Sequence, residues 1–244
     1  MSELWWQWLD MAPGEWLAAA LVLALGTFVQ RATGFGLAVV GAPLLLMIDP
    51  RLVPVTLVVM GFSLSLLVLR RFRRQVQLGE IGMALLGRVP GNLLGLWLLV
   101  SAPLAVLKWL IAGIVLFAVL VRLCQFRVPV NRRSMFLAGV VSGVFGTASA
   151  IGGPPMALLM HDMPPDRIRS NLAAFFLITS SMTLATLALA GYVSLWHLGI
   201  SASFLPAMLL GQAVAARVAG RVDQKVLQWA SLALCSIAAI GLVI

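Results

Sequence analysis

Apolar residues run along this chain in long blocks, and polar residues gather in the short gaps between them. Ten blocks stand out, near residues 16–33, 35–48, 52–70, 80–100 and 103–122, then near 134–151, 153–160, 169–190, 196–216 and 226–244. A membrane-crossing helix needs roughly 20 mainly apolar residues, a length that the last three blocks of each half approach. Continuous rather than alternating blocks exclude a transmembrane barrel. The pattern predicts an all-α integral membrane protein, a polytopic helical bundle with no room for a soluble domain.

The order of the blocks repeats. Setting Gly36 on Gly152, an offset of 116 residues, pairs Ala32 with Ala148 and Thr33 with Ser149, and also joins Arg51 to Arg167, Pro90 to Pro206 and Gly95 to Gly211. After a small insertion, Val106–Trp109 matches Val226–Trp229 at an offset of 120. The expected organisation is one membrane domain with a first repeat over 1–122, a basic linker over 123–133 and a second repeat over 134–244. The first two blocks of each half form an apolar segment broken by glycine, at Gly34-Phe-Gly36 and at Ile151-Gly-Gly-Pro-Pro155. A broken apolar segment at corresponding places in two halves points to a binding site at mid-depth.

Composition agrees, with 61% hydrophobic and 10% charged residues against about 25% charged in soluble domains. The net charge of +9 comes from arginine clusters between the blocks, which set topology rather than bind nucleic acid. Arg70, Arg71, Arg73 and Arg74 place their loop on the cytoplasmic side, as do Arg122, Arg127, Arg132 and Arg133 for the linker. In the second half the equivalent loop, Gly191–His197, lacks arginine and lysine, and the next one carries Arg217, Arg221 and Lys225. The bias swaps loops, so the two halves are expected to be inverted relative to each other. Inversion needs an odd number of crossings per half. Each broken segment must then be a re-entrant hairpin, with residues 15–48 dipping from outside and 134–160 from the cytoplasm, and both termini extracytoplasmic. The first ten residues lack a basic start and a cleavage site and read as an interfacial aromatic belt.

The re-entrant tips carry the candidate chemistry. Helix N-termini leave amides without intrahelical partners and attract anions, so Gly34, Gly36, Gly152 and Gly153 are read as an anion cradle. The alternative is that these glycines only allow close helix packing. Arg31 is an arginine inside the first broken segment, where burial in lipid would cost at least about 2.5 kcal/mol; it is assigned to the anion, or else it snorkels to an interface. Arg88 is a second candidate, within reach of the basic face. Gln30, Thr33, Thr147, Ser149, Asn92, Asn171 and Gln212 add uncharged donors. All eight acidic residues fall in loops or at helix ends, so no carboxylate proton relay is visible. His161, His197, Cys124 and Cys235 have no metal-site spacing, and neither a metal nor a cofactor is expected.

With these residues in hand, the chain resembles the TauE/SafE sulfite-exporter family over nearly its whole length. The resemblance rests on Gly34-Phe-Gly36 with Pro43, Gly143-Val-Phe-Gly146 with Ile151–Pro155, Arg169-Ser-Asn171, and the paired Pro90–Gly95 and Pro206–Gly211 elements. It implies transport of sulfite, sulfonates or related small anions across the inner membrane by a non-enzyme. The implied partners are a small anion, the lipid bilayer and possible further copies of the chain. The competing reading is a non-transporting assembly or lipid-interacting factor whose breaks serve packing.

Overall fold

The structure is a computed structural model and describes residues 8–33, 36–124, 128–160, 164–218 and 224–242. Its order is α1 (Pro13–Thr33), α2 (Leu37–Ile48), a 3-10 turn (Pro50–Leu52), α3 (Val55–Phe72), a second 3-10 turn (Arg73–Gln75), α4 (Leu78–Ser101) and α5 (Leu104–Cys124). The second half continues with α6 (Arg132–Ser149), α7 (Gly153–Ala157), α8 (Pro165–Leu189), α9 (Leu195–Val218) and α10 (Gln224–Gly241). There is no strand among the described residues. The expected all-α polytopic bundle is therefore what forms, and six described helices are long and apolar enough to cross a membrane. Leu86, Leu93, Trp97, Trp109 and Trp229 each expose more than half of their surface, as lipid-facing and interfacial side chains do.

Local chemistry fixes the helix ends. Asn131 caps α6 by accepting a hydrogen bond from the Ser134 amide at 2.9 Å, and the Ser134 hydroxyl accepts from the Asn131 amide at 3.0 Å. This reciprocal box satisfies two amides that would otherwise be stranded. At the other end of α6, Ala150 takes a left-handed φ of 64°, which reverses the chain towards α7.

Each broken segment enters and leaves on one side. Beyond α2, Arg51 donates to the Asp10 carboxylate at 2.7 Å, so the first hairpin starts and ends at the same end of the bundle. For the second hairpin, Ala84 and Gly95 of α4 meet Gly139 and Thr147 of α6 in the same order, so α4 and α6 run parallel. The Gln77 amide donates to Asn171 and Arg88 donates to Thr183, so α8 runs parallel to α4 as well. Both α6 and α8 therefore begin beside the start of α4, and the chain must double back between them. The first arms are deeper than a half-membrane dip: α1 has 21 residues and α6 has 18, about 31 and 27 Å at 1.5 Å per residue.

The tightest seam is α4 on α6. Gly87, Gly91 and Gly95 stand one turn apart on α4 and face Gly139, Gly143 and Thr147 on α6. A Cβ placed on Gly143 would lie 2.6 Å from the Gly91 backbone. Small residues allow this approach, and in lipid, van der Waals contact and interhelical hydrogen bonds rather than hydrophobic burial hold helices together. The equivalent seam, α1 on α9, has Gly211 against the Ala24 backbone and Trp16 donating to the Ser203 hydroxyl at 2.9 Å. One buried core surrounds the first hairpin and includes Leu45, Met60 and Phe204. Another lies against the second hairpin and includes Ile81, Met156 and Phe175.

Candidate anion site

The two breaks meet. A cavity of about 70 Å³ is lined by Gln30 and Gly36–Val39 from the first hairpin and by Gly146 and Ala150–Gly153 from the second. The middle of α3 (Leu57, Val58, Gly61, Ser65), the middle of α8 (Phe176, Thr179, Ser180, Thr183) and Arg88 complete the wall. A water needs roughly 10–15 Å³ by the same kind of measure, so the space holds several waters or one small solute. Arg88 is the only ionisable side chain among its described lining residues.

Arg88 is 3% exposed. Its Nη1 donates to the Ser142 carbonyl and, at 2.7 Å, to the Ser142 hydroxyl, which in turn donates to the Gly152 carbonyl at 2.6 Å. Its Nη2 donates to the Thr183 hydroxyl at 3.2 Å. Among the described residues the buried Nε–H has no partner and no carboxylate forms an ion pair with the guanidinium. Glycine makes this position possible. A Cβ on Gly146 would fall on the guanidinium, and one on Gly152 would lie 2.7 Å from Nη1. A buried cation without a counter-ion is costly unless a partner completes it.

Of the residues singled out from sequence, Gln30, Gly36, Gly152, Gly153 and Arg88 line the cavity. The others divide among separate contacts. Arg31 donates to the Gln212 side chain at 3.1 Å and is not among the lining residues. Thr147 donates to Asn92 at 3.1 Å within the α4–α6 seam, where the Asn92 amide nitrogen has no partner. The Ser149 hydroxyl turns back to the Phe145 carbonyl at 2.6 Å. Gly34 and the Thr33 side chain lie outside the described residues. The amides at the first tip are also engaged, because Gly36 and Leu37 both donate to the Gln30 side-chain oxygen, at 2.6 and 3.0 Å. Gly146 entered the sequence reading only as part of the Gly143-Val-Phe-Gly146 motif, and Ser142 and the hydroxyls of Ser65, Thr179, Ser180 and Thr183 escaped it. The run Thr179-Ser-Ser-Met-Thr183 in the middle of an apolar block was their available signal.

Asn171 belongs to a clasp at one end of the bundle. Its side chain donates to Glu80 at 2.6 Å, Glu80 pairs with Arg167 at 3.0 Å, and Arg167 also donates to Gln77. At the other end of α3, Arg51 pairs with Asp10 at 2.7 Å and Asp49 at 2.9 Å and stacks over the Trp196 ring at 4.8 Å. Hydrogen bonds from Asp49 and then Asp10 hold the Arg51 guanidinium even more firmly protonated than usual. The 116-residue offset carries Arg51 onto Arg167 and Glu80 onto Trp196, so the two clasps occupy corresponding positions in the two halves.

A bundle of membrane-length helices enclosing a cationic cavity between two broken hairpins has the build of a multi-pass membrane transporter. The chain belongs to the sulfite exporter TauE/SafE family, whose family model matches residues 18–242. No curated protein and no solved structure gives a match. Membership makes this a protein of a transporter family, and the family implies sulfur-containing anions as cargo.

Proposed function

We propose that the protein carries a small sulfur oxyanion across the cell inner membrane by alternating access, with the anion held at Arg88 between the two hairpin tips. The observation that carries this reading is the buried, unpaired Arg88 guanidinium lining a cavity to which both breaks contribute. The glycines of the α4–α6 seam serve close helix packing, whereas Gly152 makes room for the Arg88 guanidinium. In this reading the halves are inverted repeats, the Arg70–Arg74 loop is cytoplasmic and the Arg51 clasp is extracytoplasmic. Purified protein in proteoliposomes should move radiolabelled sulfite or a short sulfonate. Folded protein that moves no sulfur oxyanion would overturn the proposal.

The clasps act as the two gates in this scheme. Surface ion pairs are worth at most about 1 kcal/mol, strong enough to bias a closed end and weak enough to break in each cycle. Glu80→Gln should leave the melting temperature unchanged and speed labelling of a Ser180→Cys reporter from the cytoplasmic side alone. Arg51→Ala should speed it from outside alone. Equal effects from both sides in either variant would remove the clasps from the gating scheme.

A further inference from the structure

We propose that the Arg88 cavity selects by charge and size, taking a compact singly charged oxyanion of the dimensions of methanesulfonate or hydrogensulfite and rejecting both dianions and aryl sulfonates. This rests on the transport reading above and narrows its substrate. The charge argument is an inventory. Arg88 contributes one positive charge, and no other lysine, arginine, histidine or carboxylate is among the described lining residues. A monoanion forms a neutral pair there, whereas a dianion keeps one uncompensated charge away from water, which is strongly unfavourable in a low-dielectric interior.

Donor supply points the same way. Three of the five guanidinium N–H groups are engaged by Ser142 and Thr183, which leaves Nε–H and one Nη2–H. Ser65 and Ser180 make no hydrogen bond among the described residues and supply two more donors. That set suits the oxygens of one sulfonate head. Leu57, Val58 and Ile151 give the cavity an apolar share, which suits a methyl group or the lone-pair side of hydrogensulfite better than a fourth charged oxygen. Size closes the argument, because an apolar cavity that takes benzene measures about 150 Å³ and this one about 70 Å³.

Methanesulfonate and sulfate are nearly the same size and differ in charge, and p-toluenesulfonate has the charge of the first with an added ring. Isothermal titration of the full-length protein in detergent with these three and with sulfite separates the terms. Methanesulfonate should bind at least tenfold more tightly than sulfate, and p-toluenesulfonate should give no heat. Sulfate binding as tightly as methanesulfonate would overturn the charge rule, and p-toluenesulfonate binding as tightly would overturn the size rule; either result leaves the transport reading standing. No binding by any of the four would bring down both.

Discussion

Arg88→Gln should lose about ten- to a hundredfold in affinity for a sulfur oxyanion, since a hydrogen bond to a charged group contributes about 1.5 to 3 kcal/mol net. The same protein should be at least as stable without ligand as the parent. In the parent, a guanidinium with a buried, unpartnered Nε–H and no ion-paired carboxylate among the described residues sits inside the bundle, and a neutral amide removes that burden. The expected signature is thus a melting temperature equal or higher in plain buffer that no longer rises when methanesulfonate is added. Arg31→Gln is the companion measurement. Its guanidinium is engaged by Gln212, so its loss should cost less affinity than that of Arg88. If Arg31→Gln abolished binding while Arg88→Gln kept it, the anion would have to be moved to the Arg31–Gln212 pair.

Gly143→Leu should damage the fold severely. The contact it meets is backbone, 2.6 Å from the Gly91 Cα and carbonyl carbon, and backbone on a helix cannot rotate aside as a side chain can. Overpacking a tight interior costs typically about 1 to 3 kcal/mol, and a leucine here exceeds the usual added methylene, so about 3 kcal/mol or more is expected. Gly113→Leu is the control, because a Cβ there meets nothing within 4 Å. Fluorescence-detected size-exclusion profiles after heating should show early loss of the Gly143 variant and no change for the Gly113 variant. Equal melting of the two would mean that the seam is looser than its geometry states.

The helices were legible because lipid and a dry bundle interior impose the same demand, apolar side chains over a full helical length, and that demand is written locally. The hairpin tips were legible for a related reason, since Gly36, Gly152 and the Pro154–Pro155 pair break a periodic block within a few residues. Arg88 is different. Along the chain it lies 14 residues past Arg74, near enough to the basic face to stand only second to Arg31 as an anion-site candidate. Its burial is decided by Gly146, Gly152 and Ser142, residues more than 50 positions away. The α8 hydroxyls hid in the same way: Ser and Thr in apolar helices ordinarily bond back to their own helix, as Ser181 and Thr186 do here, and nothing local separates those from Ser180. The positions of Asn171 and Arg167 in a clasp became readable only when Glu80 was brought to them from another helix.

Gln30 carries a consequence for turnover. By lending its oxygen to the amides of Gly36 and Leu37, it occupies from within the chain two of the amides that open α2. In the proposed carrier those two amides are not spare for cargo, and the charge of the passenger is met from one side, by Arg88. A one-sided grip means modest affinity and quick unloading, and a carrier works by letting go as often as it takes hold. In that scheme an unladen molecule keeps these two amides satisfied by Gln30 on the return journey.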